Sequence, residues 1–153
     1  MRRKFAFISL TGILLLLLSG CFVLDPFMTV GPERWFADGD TVDGKGWDFE
    51  TGNYGKINMK PDLVLAKEGN VWYFKIVDNS TQFIRDLGVK QIRDYYWKST
   101  SDLEGLNNGN EKAVPSKAHL YLIKTTEGNY VIMKLIDVQG DPVVIFKYAL
   151  KQK

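Results

Sequence analysis

Three β-prone runs close the chain, and the short turns between them leave few folds open. Ala118 to Thr125, Tyr130 to Val138 and Val143 to Leu150 are rich in β-branched and aromatic residues. Thr126-Glu127-Gly128-Asn129 joins the first two runs and Gln139-Gly140-Asp141-Pro142 the second and third, both with turn chemistry. Connections this short make neighbours antiparallel, so the expectation is a three-strand meander. Alternation puts Val131, Met133 and Leu135 on one face of the middle strand and Tyr130, Ile132 and Ile136 on the other. Both faces are apolar, which predicts a central strand covered on two sides. In the last run Val144, Phe146, Tyr148 and Leu150 share a face.

Upstream, Asp62 to Ala66 and Val71 to Val77 flank Lys67-Glu68-Gly69-Asn70 and read as a hairpin. Trp47 to Glu50 alternates apolar and acidic before Thr51-Gly52-Asn53, a short strand into a turn. Ser80 to Gly88 suits a helical turn through Phe83, Ile84 and Leu87, and Gln91 to Trp97 suits either strand or helix. Leu103 to Ser116, rich in Asn, Gly and Lys, reads as an exposed loop. The fold class that follows is mostly β: a small antiparallel β-sandwich or partly open barrel with a C-terminal three-strand meander and at most one or two short helices. A hydrophobic content of 45% supplies the core.

The other end of the chain is a leader. Met1-Arg2-Arg3-Lys4 is basic, and Phe5 to Leu18 is almost wholly apolar. That order marks a secretory signal, and the apolar run is shorter than the roughly 20 residues of a bilayer span. It ends in Leu18-Ser19-Gly20-Cys21, which resembles the lipobox of bacterial lipoproteins. The resemblance implies cleavage before Cys21, diacylation of its sulfur, and attachment to the outer face of a bacterial membrane. Acyl burial at about 0.8 kcal/mol per CH₂ makes a two-chain anchor stable. With Phe22 rather than an aspartate after the cysteine, sorting of the enterobacterial kind implies the outer membrane in a two-membrane cell. Cys21 is the only cysteine, so no disulfide staples the mature chain. Removing residues 1–20 leaves 17 basic against 18 acidic side chains, a formal charge of −1. The basicity belongs to the leader, and a nucleic-acid partner loses its electrostatic support. The organisation expected is a signal peptide over 1–20, a lipidated tether over 21–43 with Pro26, Pro32 and several glycines, and one β-rich domain over 44–153.

Chemistry is thinly marked. His119 is the only histidine, and no serine sits in a nucleophile elbow, so no catalytic residue is singled out. One histidine and a lipidated cysteine do not make a zinc site. Asp38, Asp40, Asp43 and Gly44 are similar to a D-x-D-x-D-G calcium loop, but the third aspartate comes one residue late and no glutamate follows at the twelfth position. Asp-Gly turns in a solvated tether explain the run as well. The order of short strands, with Asp48-Phe49-Glu50-Thr51-Gly52, Thr126-Glu127-Gly128-Asn129-Tyr130 and Val144-Ile145-Phe146-Lys147-Tyr148, is similar to the HmuY-like haem-binding lipoproteins of Bacteroidetes. That resemblance implies two axial ligands. Only His119 could be an imidazole, with Met133 or a tyrosine as its partner, so no cofactor is assigned.

Aromatic clusters remain: Trp72-Tyr73-Phe74 and Tyr95-Tyr96-Trp97. Either fills a core or presents rings to a sugar or a protein. Tyr95, Tyr96 and Trp97, beside the long polar loop, are the candidate contact residues. The expected protein is a non-enzymatic envelope module, held to the membrane through Cys21, that binds an envelope protein, a glycan or a small ligand. The alternative is an envelope enzyme with two carboxylates about 5–10 Å apart across a cleft, as in glycan hydrolysis.

Overall fold

The C-terminal meander forms where the alternation places it. In the computed structural model, which describes residues 30–36, 46–55, 60–140 and 143–153, β8 (Leu120–Lys124), β9 (Tyr130–Gln139) and β10 (Val143–Lys151) pair antiparallel in sequence order. Asp137 pairs with Ile145 and Leu135 with Phe146, so Ile136 is an extra residue on β9, a bulge. β6 (Phe83–Asp86) extends the sheet beyond β8, and β1 (Arg34–Phe36) extends it beyond β10.

A second five-stranded sheet runs β3 (Asn53–Tyr54), β2 (Trp47–Asp48), β4 (Leu63–Glu68), β5 (Val71–Ile76) and β7 (Lys112–Ala113). The β4–β5 hairpin turns on Gly69, whose φ of 62° suits a residue without Cβ. The two sheets form an open sandwich that does not close into a barrel. One side is laced by residues 110–113. Asn110 exchanges both backbone bonds with Ile84 of the first sheet, Glu111 C=O accepts from Ile76 N–H, and β7 pairs with β5 of the second sheet. Gly109 permits this approach, because a Cβ there would lie 2.6 Å from the Phe83 ring.

The inner core joins Trp47, Phe49, Leu63, Leu65 and Phe74 of the second sheet and its turns to Tyr121, Val131, Met133, Leu135 and Phe146 of the first. Trp47 and Phe146 meet edge-on at 5.0 Å, as do Phe74 and Tyr121 at 5.2 Å. The opposite face of the first sheet is also covered. Tyr130, Ile132 and Ala149 pack there under Ile92, Tyr95 and Leu103, which come from a 3-10 turn (Ile92–Tyr95) and one short helix, α1 (Thr100–Glu104). Ser99 caps α1, accepting from Asp102 N–H at 3.1 Å, while the Asp102 carboxylate accepts from Ser99 N–H at 2.9 Å. The double apolarity of β9 is thus explained: each face has its own cluster.

Several expectations are corrected. Within the span expected as tether, Val30 bridges to Ala149 and Arg34–Phe36 form the edge strand β1. Ser80 to Gly88 holds a strand instead of a helical turn, with Ile84 in the inner cluster and Phe83 in the outer one. Residues 103–116 contain the end of α1 and all of β7, so they are not one loop. Gly46 serves close packing: a Cβ would lie 2.5 Å from Pro61 Cβ and 2.8 Å from Leu63 O. Among the described residues no helix is long and apolar enough to cross a membrane. Cys21 and Asp38, Asp40 and Asp43 lie outside the described residues.

Candidate functional site

The Tyr95-Tyr96-Trp97 cluster divides. In the 3-10 turn residues three apart share a side, so Tyr95 follows Ile92 into the outer cluster. Tyr95 is core, which corrects its assignment to the contact surface. Burial pushes its phenol above the ordinary range, and the Asp94 carboxylate adds to the shift. Tyr96 packs half-buried against the same layer. Trp97 alone of the three is exposed, at 76% of its surface. A second exposed indole, Trp35 at 61%, stands on edge strand β1, its ring 6.2 Å from that of Tyr54. Glu33, Arg34, Gln139, Val143 and Ile145 line a shallow groove with it. Trp35 lies within the span expected as tether, where three strand residues carry no period.

A carboxylate cluster was also missed. Asp48, Glu50 and Asp62 each place an oxygen within 4.8 Å of the others. Asp62, at the entrance to β4, is fully buried. Its Oδ2 accepts from Phe49 N–H at 3.0 Å. Its Oδ1 accepts from Thr126 N–H at 2.9 Å and lies 3.4 Å from Gln82 Nε2. Glu50 Oε1 accepts from Thr125 Oγ1 at 2.6 Å and Asn129 Nδ2 at 2.8 Å. Glu50 Oε2 is buried without a hydrogen-bond partner. Burial, with the Glu50 carboxylate beside it, pushes Asp62 up to about 7, against the pull of the two backbone N–H groups. No ion pair joins any of the three acids among the described residues.

His119 sits just before β8 with its Nδ1 2.9 Å from Asp86 Oδ2. Asp86 also accepts from Gly88 N–H at 2.7 Å, so the pair ties the end of β6 to the start of β8. Beside it runs an open groove of about 640 Å³ lined by Tyr73, Asp86, Asn110, Glu111, Lys112, Ala113 and Val114. Met133, the suggested axial partner of His119, has no exposed surface and belongs to the inner core. A haem iron could reach its sulfur only by opening that core. Trp72-Tyr73-Phe74 alternates as a strand should: Phe74 is buried in the inner core, and Lys112 Nζ lies 4.5 Å from the Tyr73 ring centre.

Comparison with known protein families, curated proteins and solved structures finds no match.

Proposed function

We propose that this chain is a lipid-anchored extracytoplasmic β-sandwich that works by binding an envelope glycan or protein, without catalysing a reaction. Leu18-Ser19-Gly20-Cys21 supports the anchor. The observation that carries the binding role is Trp97, a large amphipathic ring left 76% exposed beside a packed layer that buries its neighbour Tyr95. Indoles stack on sugar faces and anchor protein contacts. The carboxylate cluster would be the centre of an enzyme reading. Its Asp62 has no exposed surface, and both its oxygens already accept bonds from the chain, which favours a structural role.

The test pairs three variants in the producing cell. Cys21→Ser is expected to lose the acyl mass and release the protein from the membrane fraction. Trp97→Ala is expected to keep its melting temperature and lose most of its cross-linking to envelope material. Tyr95→Ala is expected to lose about 3–5 kcal/mol of stability, as aromatic truncations in cores do. Unchanged cross-linking by Trp97→Ala would remove Trp97 from the contact surface.

A further inference from the structure

We infer that Asp62 and Glu50 share one proton, and that this proton clasps the β2–β3 turn to the β8–β9 turn as a pH-sensitive latch at one end of the sandwich. The inference is independent of the anchor and of any partner. Glu50 lies in the turn between β2 and β3, and its bonds to Thr125 and Asn129 cross to the turn between β8 and β9. Asp62 makes the same crossing through Thr126. These side chains are the polar bridge between the two sheets at that end.

The bridge contains too many acceptors for its donors. Every donor that reaches the two carboxyls is accounted for, yet Glu50 Oε2 remains buried with nothing to accept. A carboxylate oxygen in that position is costly, and a proton between the Asp62 and Glu50 side chains, whose oxygens lie within 4.8 Å, supplies the missing donor. Among the described residues no cation forms an ion pair with these acids, and Arg34 of β1 acts on the Tyr148 phenol together with Asp48 and Glu50. The turn that carries Glu50 adds the Asp48 carboxylate, which accepts from Thr51 N–H at 2.9 Å. The segment before β6 contributes neutral Gln82. The β8–β9 turn adds Glu127, 2.8 Å from Thr126 Oγ1. β10 contributes Tyr148, whose hydroxyl donates to Phe49 O at 3.2 Å. His119 lies at the other end of β8, on Asp86.

When the proton leaves for solvent, two carboxylates face each other in a poorly solvated site. Asp62 is fixed by backbone donors and full burial. Glu50 is partly exposed, so its side chain is the part that can turn towards water. Its swing towards water would release Thr125 and Asn129. The effect therefore runs in the direction of a raised acid: stability is full at low pH and is lost as pH rises through about 7.

The experiment is thermal unfolding of the purified full chain in detergent between about pH 5.5 and 8.5, above the range of ordinary carboxylates. The wild type is expected to lose roughly 5–10 °C across that window. Glu50→Gln keeps an oxygen for Thr125 and Asn129 and gives Asp62 a permanent N–H, so its melting temperature should stay level. The difference between the two curves removes every contribution that the two proteins share. An equal slope in both proteins, or no slope in the wild type, overturns the latch. Calcium that restores the alkaline melting temperature of the wild type but not of Glu50→Gln also overturns it, because the acids would then be a cation site. Should the variant fail to fold, exchange of the Asn129 side-chain amide, which donates to Glu50, decides in the wild type: protection lost as pH rises to about 7 supports the latch, and constant protection overturns it.

Discussion

Asp62 and Glu68 bracket the same strand, β4, and their surroundings push the two carboxyls in opposite directions. Asp62 stands at the buried end among other acids, and burial carries it up to about 7. Glu68 stands at the exposed end between two ammonium groups. It accepts from Lys112 and, at 2.8 Å, from Lys75, and those bonds hold it down at about 2. The buried acid links the sheets, and without it Phe49 N–H, Thr126 N–H and the Gln82 amide lose their acceptor. The exposed one is solvated and screened, and it contributes little to stability. Its lysines charge the outer edge of the second sheet, where an uncharged edge would invite pairing with another chain. The more strongly ion-paired acid is thus the less important one for the fold.

That contrast can be broken in order of effect. Asp62→Ala should be the most damaging, leaving Phe49 N–H, Thr126 N–H and the Gln82 amide without their acceptor. A loss of about 4 kcal/mol is expected in urea unfolding near neutral pH. Asp62→Asn should cost less, because it keeps one accepting oxygen, and it should abolish the fall in stability between the ordinary value of 3.8 and about pH 7. The Glu68 change is the smallest. Glu68→Gln should leave the unfolding midpoint nearly unchanged in high salt. The sign for Glu68 is opposite to that for Asp62: its contribution is present above its ordinary value of 4.5 and is lost as pH falls through about 2. An unfolding curve in which Glu68→Gln costs as much as Asp62→Ala would reverse the comparison.

The sequence made part of this legible. Local alternation exposed the meander, the β4–β5 hairpin and the double-faced β9, because each is written in neighbouring residues. β1 was unreadable because a three-residue edge strand has no room for a period, and Pro32 and Gly31 beside it look like tether. Phe83 and Ile84 misled because a strand covered on both faces has adjacent apolar residues, which also fit a helical turn. Tyr95 and Trp97 look equivalent in one aromatic run, and only the 3-10 geometry separates core from surface. The acid cluster draws Glu50, Asp62 and Thr125–Thr126 from three distant stretches, joined by packing alone. One local signal was available: Asp62 sits directly against the apolar run Leu63-Val64-Leu65, where an acid needs buried partners.

The most direct measurement is a titration of the Asp62 and Glu68 side-chain carboxyls by carbon NMR in one sample. The account predicts midpoints far apart, Asp62 near 7 and Glu68 near 2, with the amides of Phe49 and Thr126 shifting in step with Asp62. Two carboxyls titrating together in the ordinary range of about 4 would contradict it.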